Sequence, residues 1–264
     1  MAQTAQPAGR TSFILGSAWF AATLAVLVYG FHLAIFVAPT EATMGNVQRI
    51  FYWHVPSAML ALVFPYVNFA ASIAFLALRR RNPFAALNAD AIAIAAAEVT
   101  IVFTSIGLVT GMLWGKAVWG IWWTWSPRLT TFLLLWLLYA AYLMTRRLSV
   151  TGQTSTLSAV LSIFAAVDVP IVYMSIRWWR DQHPSPVFGE DGSLDTSMWP
   201  AFLWNIAGWA MWGLLILVVR YYLERRRQRA HEEATLRALE DSLYPQNGLN
   251  SPLDPRNQER NNAL

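Results

Sequence analysis

Six long apolar runs set the terms for everything else in this chain. They span about Phe13–Val37, Val55–Leu78, Ala91–Leu113, Leu129–Thr145, Leu157–Ile176 and Ala201–Tyr222. Each has roughly the 17 to 25 residues an α-helix needs to cross a hydrocarbon core about 30 Å thick. No water is available there to bond a bare N–H or C=O, so a spanning segment must satisfy its own backbone, as a helix does. The chain is 56% hydrophobic and only 13% charged, with a mean hydropathy of +0.38. The expected fold class is therefore all-α: a polytopic membrane protein with six transmembrane helices. The first run is too long for the core of a signal peptide, and Ala38-Pro39-Thr40 makes a poor cleavage site, so it is kept as a helix. The expected organisation is a cytoplasmic N-terminus over 1–12, a six-helix membrane domain over 13–222 and a polar cytoplasmic tail over 223–264. Within that tail Glu224–Leu243 reads as a charged helix, and the stretch from Tyr244 onward as disordered.

Charge placement predicts orientation. Arg10, Arg79, Arg80, Arg81, Arg146, Arg147, Arg220, Arg225, Arg226, Arg227 and Arg229 flank one set of helix ends. The opposite set carries only Arg49, Lys116, Arg128, Arg177 and Arg180. By the positive-inside rule both termini are cytoplasmic, and the loops after the first, third and fifth helices face outward. The net charge of +4 comes from arginines clustered at membrane edges, not on a soluble surface, which argues against nucleic acid as a partner.

One of the outward loops stands apart. The stretch Trp114–Thr130 reads WGKAVWGIWWTWSPRLT and holds Trp114, Trp119, Trp122, Trp123 and Trp125. Trp119, Trp122 and Trp123 fall at i, i+3, i+4 and share a face if the loop is helical. A flat aromatic shelf with Lys116 and Arg128 near its ends suits a flat aromatic ligand with acidic edges. The competing reading is an interfacial aromatic belt. A belt decorates both interfaces, however, whereas Trp53, the five loop tryptophans, Trp178, Trp179 and Trp199 all fall on the expected outer side.

The histidines sharpen this. His231 lies in the tail and reads as solvated, while His32 reads as packed or hydrogen-bonded within the first helix. His54 opens the second helix in FYWHVPSAML, and His183 sits in the last outer loop, in RWWRDQHPSPV. Topology brings both to the face of the tryptophan loop. Two imidazoles beside an aromatic platform supply axial nitrogens for an iron and flat walls for a macrocycle. Pro56 and Pro184 restrict the backbone near each ring. Cysteine is absent, so such a ligand cannot be attached through a thiol. Two carboxylates fall in apolar runs. Glu98 is expected to reach the cytoplasmic edge, while Asp168, beside Pro170, stays open between an interhelical hydrogen bond and a functional role.

These residues carry a family resemblance. WGKAVWGIWWTWSPRLT closely resembles the tryptophan-rich WWD signature of the haem-handling proteins of cytochrome c maturation, the CcmC/CcmF/CcsA family. With YWHVPSA, VTGMLWGK, PRLTT and VPIVYMSIRWW, the pattern is most similar to the six-helix CcmC branch and covers about Ile50 to Trp204. The resemblance implies a non-enzymatic protein of the bacterial inner membrane that holds haem b non-covalently and transiently at the outer face. It implies His54 and His183 as axial ligands of the haem iron, and a cradle of Trp114, Trp119, Trp122, Trp123 and Trp125. Lys116, Arg128 and Ser126 become candidates for the propionates or for handoff. The implied partners are a periplasmic, membrane-anchored haem chaperone of the CcmE kind, further maturation subunits of the CcmA, CcmB and CcmD kinds, and membrane lipid. Two departures stand out: Ser126 occupies the position where the signature has an acidic residue, and the tail is longer than the family's. The alternatives are a synthase-type, CcsA-like assembly subunit, or a small-molecule or ion transporter with Asp168 on its pathway and the tryptophans as an interfacial belt.

A reporter fused after Arg81, after Arg147 or at the C-terminus is expected to behave as cytoplasmic, and one placed within Trp114–Arg128 or beside His183 as external. A cytoplasmic tryptophan loop would rule out an outer-face site, because both histidines would move with it.

Overall fold

The structure, a computed structural model, describes residues 8–148, 153–179, 183, 187 and 194–243. Arg180, Pro184, the first seven residues and the tail from Tyr244 lie outside that set. Six α-helices follow in order: α1 (Ala8–His32), α2 (Phe51–Leu78), α3 (Pro83–Trp119), α4 (Pro127–Leu148), α5 (Gln153–Trp179) and α6 (Trp199–Leu243). Six segments are long and apolar enough to cross a membrane, each containing most or all of one of these helices. Among the described residues there is no strand, only an isolated bridge between Glu41 and Gly45. A π-helical turn, Leu33–Val37, prolongs α1, and a 3-10 turn, Asn46–Ile50, leads into α2. A second 3-10 turn, Thr196–Met198, precedes α6 and is capped by Asp195, which accepts the Ser197 N–H at 2.9 Å. The hydroxyl and N–H of Ser197 hold the Asp195 carboxyl below its ordinary value.

Local chemistry explains the helix boundaries. Asn82 caps α3 by accepting the Ala85 N–H at 3.0 Å, with Pro83 in the first turn. At 37 residues, α3 is about 55 Å long, well beyond a hydrocarbon core of about 30 Å. The excess over the apolar run is Pro83–Asp90 at one end and Trp114–Trp119 at the other. The last helix also runs further than its apolar stretch, because no Gly or Pro separates Tyr222 from Leu243. The described residues from Arg225 to Leu243 belong to a unit of their own, in which Arg225 donates to Gln228 and Arg237 lies 3.9 Å from Glu233 one turn away.

Within the unit that ends at Glu224, α2 and α3 form the centre and α4 and α5 pack beside them. Phe64 and Phe103 stack across the α2–α3 seam at 5.7 Å. Asn68 of α2 is fully buried and ties four helices. Its amide donates to the Ala93 carbonyl of α3 at 2.7 Å, and its oxygen accepts from Tyr139 of α4 at 3.3 Å and from Ser162 of α5. Asn205 of α6 donates to the Gly30 carbonyl of α1 at 2.9 Å. At the arginine-bearing end, Arg146 pairs with Asp90, and Arg79 donates to Thr156 at 2.6 Å.

The structure adds to two of the readings made from sequence and revises a third. Glu98 does not reach the edge alone; both of its oxygens accept from the Arg220 guanidinium of α6. Asp168 is buried, and its Oδ2 makes no hydrogen bond to another helix among the described residues. His32 is exposed on the side of α1 rather than packed inside, with its ring 5.4 Å from that of Phe36.

Replacing Asn68 with Leu leaves the Ala93 carbonyl, Tyr139 and Ser162 without their shared partner. The expected cost is about 1–3 kcal/mol, seen as a lower midpoint of unfolding in detergent. An unchanged midpoint would remove Asn68 as the tie between the four helices.

Candidate functional site

The end of the bundle opposite Arg146 gathers the first turns of α2 and the last turns of α3. His54 sits in the first turns of α2, where the Ser57 hydroxyl donates to its carbonyl at 2.8 Å. Its Nδ1 lies 2.9 Å from the Thr110 hydroxyl of α3. Gly111 makes the approach possible, since a methyl group there would stand 3.1 Å from His54 Cε1. One turn earlier, Gly107 leaves comparable room for the Phe132 ring of α4.

The tryptophan stretch is not one loop. Trp114 and Trp119 belong to α3, which stops because Gly120 takes a left-handed conformation (φ 76°) and returns its N–H to the Lys116 carbonyl at 3.1 Å. Residues 121–126 are irregular, and α4 begins at Pro127. The i, i+3, i+4 face expected of Trp119, Trp122 and Trp123 therefore does not form. The rings do not lie in one plane either. Trp114 and Trp119 meet edge to face at 4.9 Å and 83°, and Trp123 and Trp125 at 5.6 Å and 81°. The result is a walled corner instead of a flat shelf.

That corner closes a cleft of about 670 Å³, partly open to its surroundings. His54, His183, Trp114, Trp119, Trp122, Trp123 and Arg128 all line it, with Phe132, Leu108 and Met112 among the apolar residues around them. Trp125 and Lys116 do not line it. Trp125 is 76% exposed. Lys116 donates to the Gly120 carbonyl at 2.8 Å and lies 5.9 Å from the centre of the Trp122 ring. Trp123 Nε1, by contrast, is buried without a hydrogen-bond partner among the described residues. Arg128 donates to the Val172 carbonyl, pinning the start of α4 to α5.

The two imidazoles face one another across this space, with ring centroids 6.5 Å apart and planes inclined by 38°. Two metal–nitrogen bonds of about 2.0 Å plus the half-widths of two rings come to about 6 Å, so the pair is spaced to share one metal ion. No group of three or more His, Asp or Glu residues that could hold a bare ion occurs among the described residues. Two imidazoles in an aromatic, apolar cleft could serve only a metal that brings its own further ligands.

Comparison with known proteins shows the family. A family model described as "Heme exporter protein C" matches residues 2–236. The chain belongs to the heme exporter protein C family. It is 33% identical to the "Heme exporter protein C" of Rhodobacter capsulatus over 222 residues, covering 81% of this chain and 88% of that protein. The Escherichia coli K12 protein of the same name is 33% identical over 221 residues, covering 79% and 85%. A "Putative cytochrome c biosynthesis ccmC-like mitochondrial protein" from Marchantia polymorpha is 29% identical over 223 residues, covering 81% and 91%.

Ser126 has a local structural role. Ser126 precedes Pro127 and caps α4: its Oγ accepts from the Leu129 N–H at 3.4 Å, and its carbonyl accepts the Thr130 N–H at 2.9 Å. Serine and aspartate are about equally good at this position, so either residue starts the helix. Thr110 and Gly111 were not singled out by sequence reasoning. Both sit in the VTGMLWGK motif, but nothing local says that His54, 56 residues earlier, packs against them.

Ser126→Asp is expected to keep the stability of the parent, because the cap survives. Ser126→Ala should cost about 1 kcal/mol through loss of the cap, read as a lower unfolding midpoint. A loss of stability in Ser126→Asp as large as in Ser126→Ala would overturn the capping role.

Proposed function

We propose that this protein binds haem at the outer face of the bacterial inner membrane and delivers it for cytochrome c maturation. The observation that carries the reading is the His54–His183 pair, 6.5 Å apart across an aromatic cleft. The names of the relatives, heme exporter proteins and a cytochrome c biosynthesis protein, support the same class of cargo. The arginine-rich helix ends support a cytoplasmic location for both termini, which leaves the cleft outside.

Haem is cargo here. It is haem b, held without a covalent bond, since the chain has no cysteine to form one. His54 and His183 supply axial nitrogens to its iron. Trp114, Trp119, Trp122 and Trp123 wall the macrocycle and exclude water. Of the two cations expected to meet the propionates, Arg128 lines the cleft and is the candidate, while Lys116 braces the turn after α3. The buried N–H of Trp123 is a further donor at the cleft wall. Trp122 and Trp125, 55% and 76% exposed, form the rim on which a membrane-anchored, CcmE-like chaperone docks to take the haem. Subunits of the CcmA, CcmB and CcmD kinds complete the assembly.

Purified protein should carry a six-coordinate, low-spin haem spectrum. His54→Ala or His183→Ala alone should shift the Soret band and lower haem retention at least tenfold, and the double variant should retain none. Arg128→Ala should weaken retention without changing the spin state. Wild-type spectra in both single histidine variants would sink the axial assignment.

A further inference from the structure

If His54 is a haem ligand, the hydrogen bond behind its ring decides which nitrogen it can offer. A neutral imidazole carries one proton, and the partner of one nitrogen determines whether the other is free to bind a metal. His54 Nδ1 lies 2.9 Å from Thr110 Oγ1. The Thr110 hydroxyl has a single proton to give. The Ile106 carbonyl, 2.6 Å away and one turn back on α3, is nearer to the hydroxyl than Nδ1 is, and this shorter distance assigns the proton there, with the Gly107 carbonyl a more distant acceptor at 3.4 Å. Both acceptors lie on α3, so in either case the hydroxyl presents only lone pairs to His54. Nδ1 must then be the donor, and Nε2 carries the bare lone pair. The ring is held by this bond and by the close fit of Cε1 against Gly111.

We propose that Thr110 is a positioning residue: it takes the Nδ1 proton of His54 and so locks the ring in the tautomer whose Nε2 is available to the haem iron. The chain from imidazole N–H to hydroxyl to backbone carbonyl also makes the ring a stronger electron donor, because each bond polarises the next. The contact is not a filler for an unsatisfied threonine. Thr110 already has its acceptor in Ile106, so the second bond serves His54.

The test uses the full chain, labelled with 15N-histidine and reconstituted in lipid nanodiscs without haem. The His54 resonance is identified by its loss in His54→Ala. In the parent protein, His54 should carry its proton on Nδ1. Thr110→Val keeps the β-branched shape and removes the acceptor, and it should give a mixture of tautomers. Loaded with iron protoporphyrin IX, Thr110→Val should release haem about ten to a hundred times faster. Thr110→Ser should restore both the tautomer and the retention, which a role in packing alone would not require. A parent protein with its His54 proton on Nε2 overturns the proposal even if the valine variant does not fold. So does a Thr110→Val protein with the parent tautomer and the parent release rate. If the tautomer depends on Thr110 but no haem binds through His54, the positioning assignment stands and the haem reading falls.

Discussion

Asn68 is the contact on which the rest of the architecture rests. Lipid tails are as apolar as leucine, so helices in a membrane gain little from burying oily surface against each other. Close packing and internal polar bonds must hold them instead. Asn68 does this for α2, α3, α4 and α5 at once. The Glu98–Arg220 and Asn205–Gly30 contacts bring in α6 and α1. With α2 fixed to α3 in this register, His54 arrives level with Thr110 and Gly111, more than three helical turns nearer the cleft.

The cleft is a consequence of how helices end. Gly120 halts α3 with its last turns projecting, Ser126 and Pro127 restart the chain as α4, and six residues between them carry three tryptophans. Trp114 and Trp119, which both wall the cleft, meet edge to face, and Trp123 meets the exposed Trp125 in the same way. Arg128 adds a clamp from α4 to α5, the helix that leads toward His183. The same short region therefore shapes the cleft.

Trp123 Nε1 and Asp168 Oδ2 are among six buried side-chain polar atoms without partners among the described residues. Leaving such an atom unsatisfied costs about 1–3 kcal/mol. For Trp123 the cleft supplies a reason, since a bound ligand's acceptor could meet the N–H. For Asp168 the structure offers no physical account.

Much of this was legible in the sequence. Six apolar runs determine six helices because hydrocarbon tolerates no unsatisfied backbone, and that constraint acts on each segment separately. The concentration of tryptophan near one set of helix ends, and the placement of His54 and His183 there, are equally segmental facts. The limits of α3 and α6 were less legible, since each helix continues past its apolar run wherever no Gly or Pro stops it. What only the tertiary structure decided are relations between segments: the Asn68 tie, the Arg220 partner of Glu98, the Thr110 partner of His54, and which tryptophans wall the cleft. Trp125 and Lys116 look equivalent to Trp123 and Arg128 along the chain. The irregular stretch 121–126 turns Trp125 outward and Trp123 toward the cleft, while Lys116 ends exposed on α3 and Arg128 lines the cleft from α4. A hydrogen bond between residues 56 positions apart depends on how two helices cross, and no local pattern encodes that crossing.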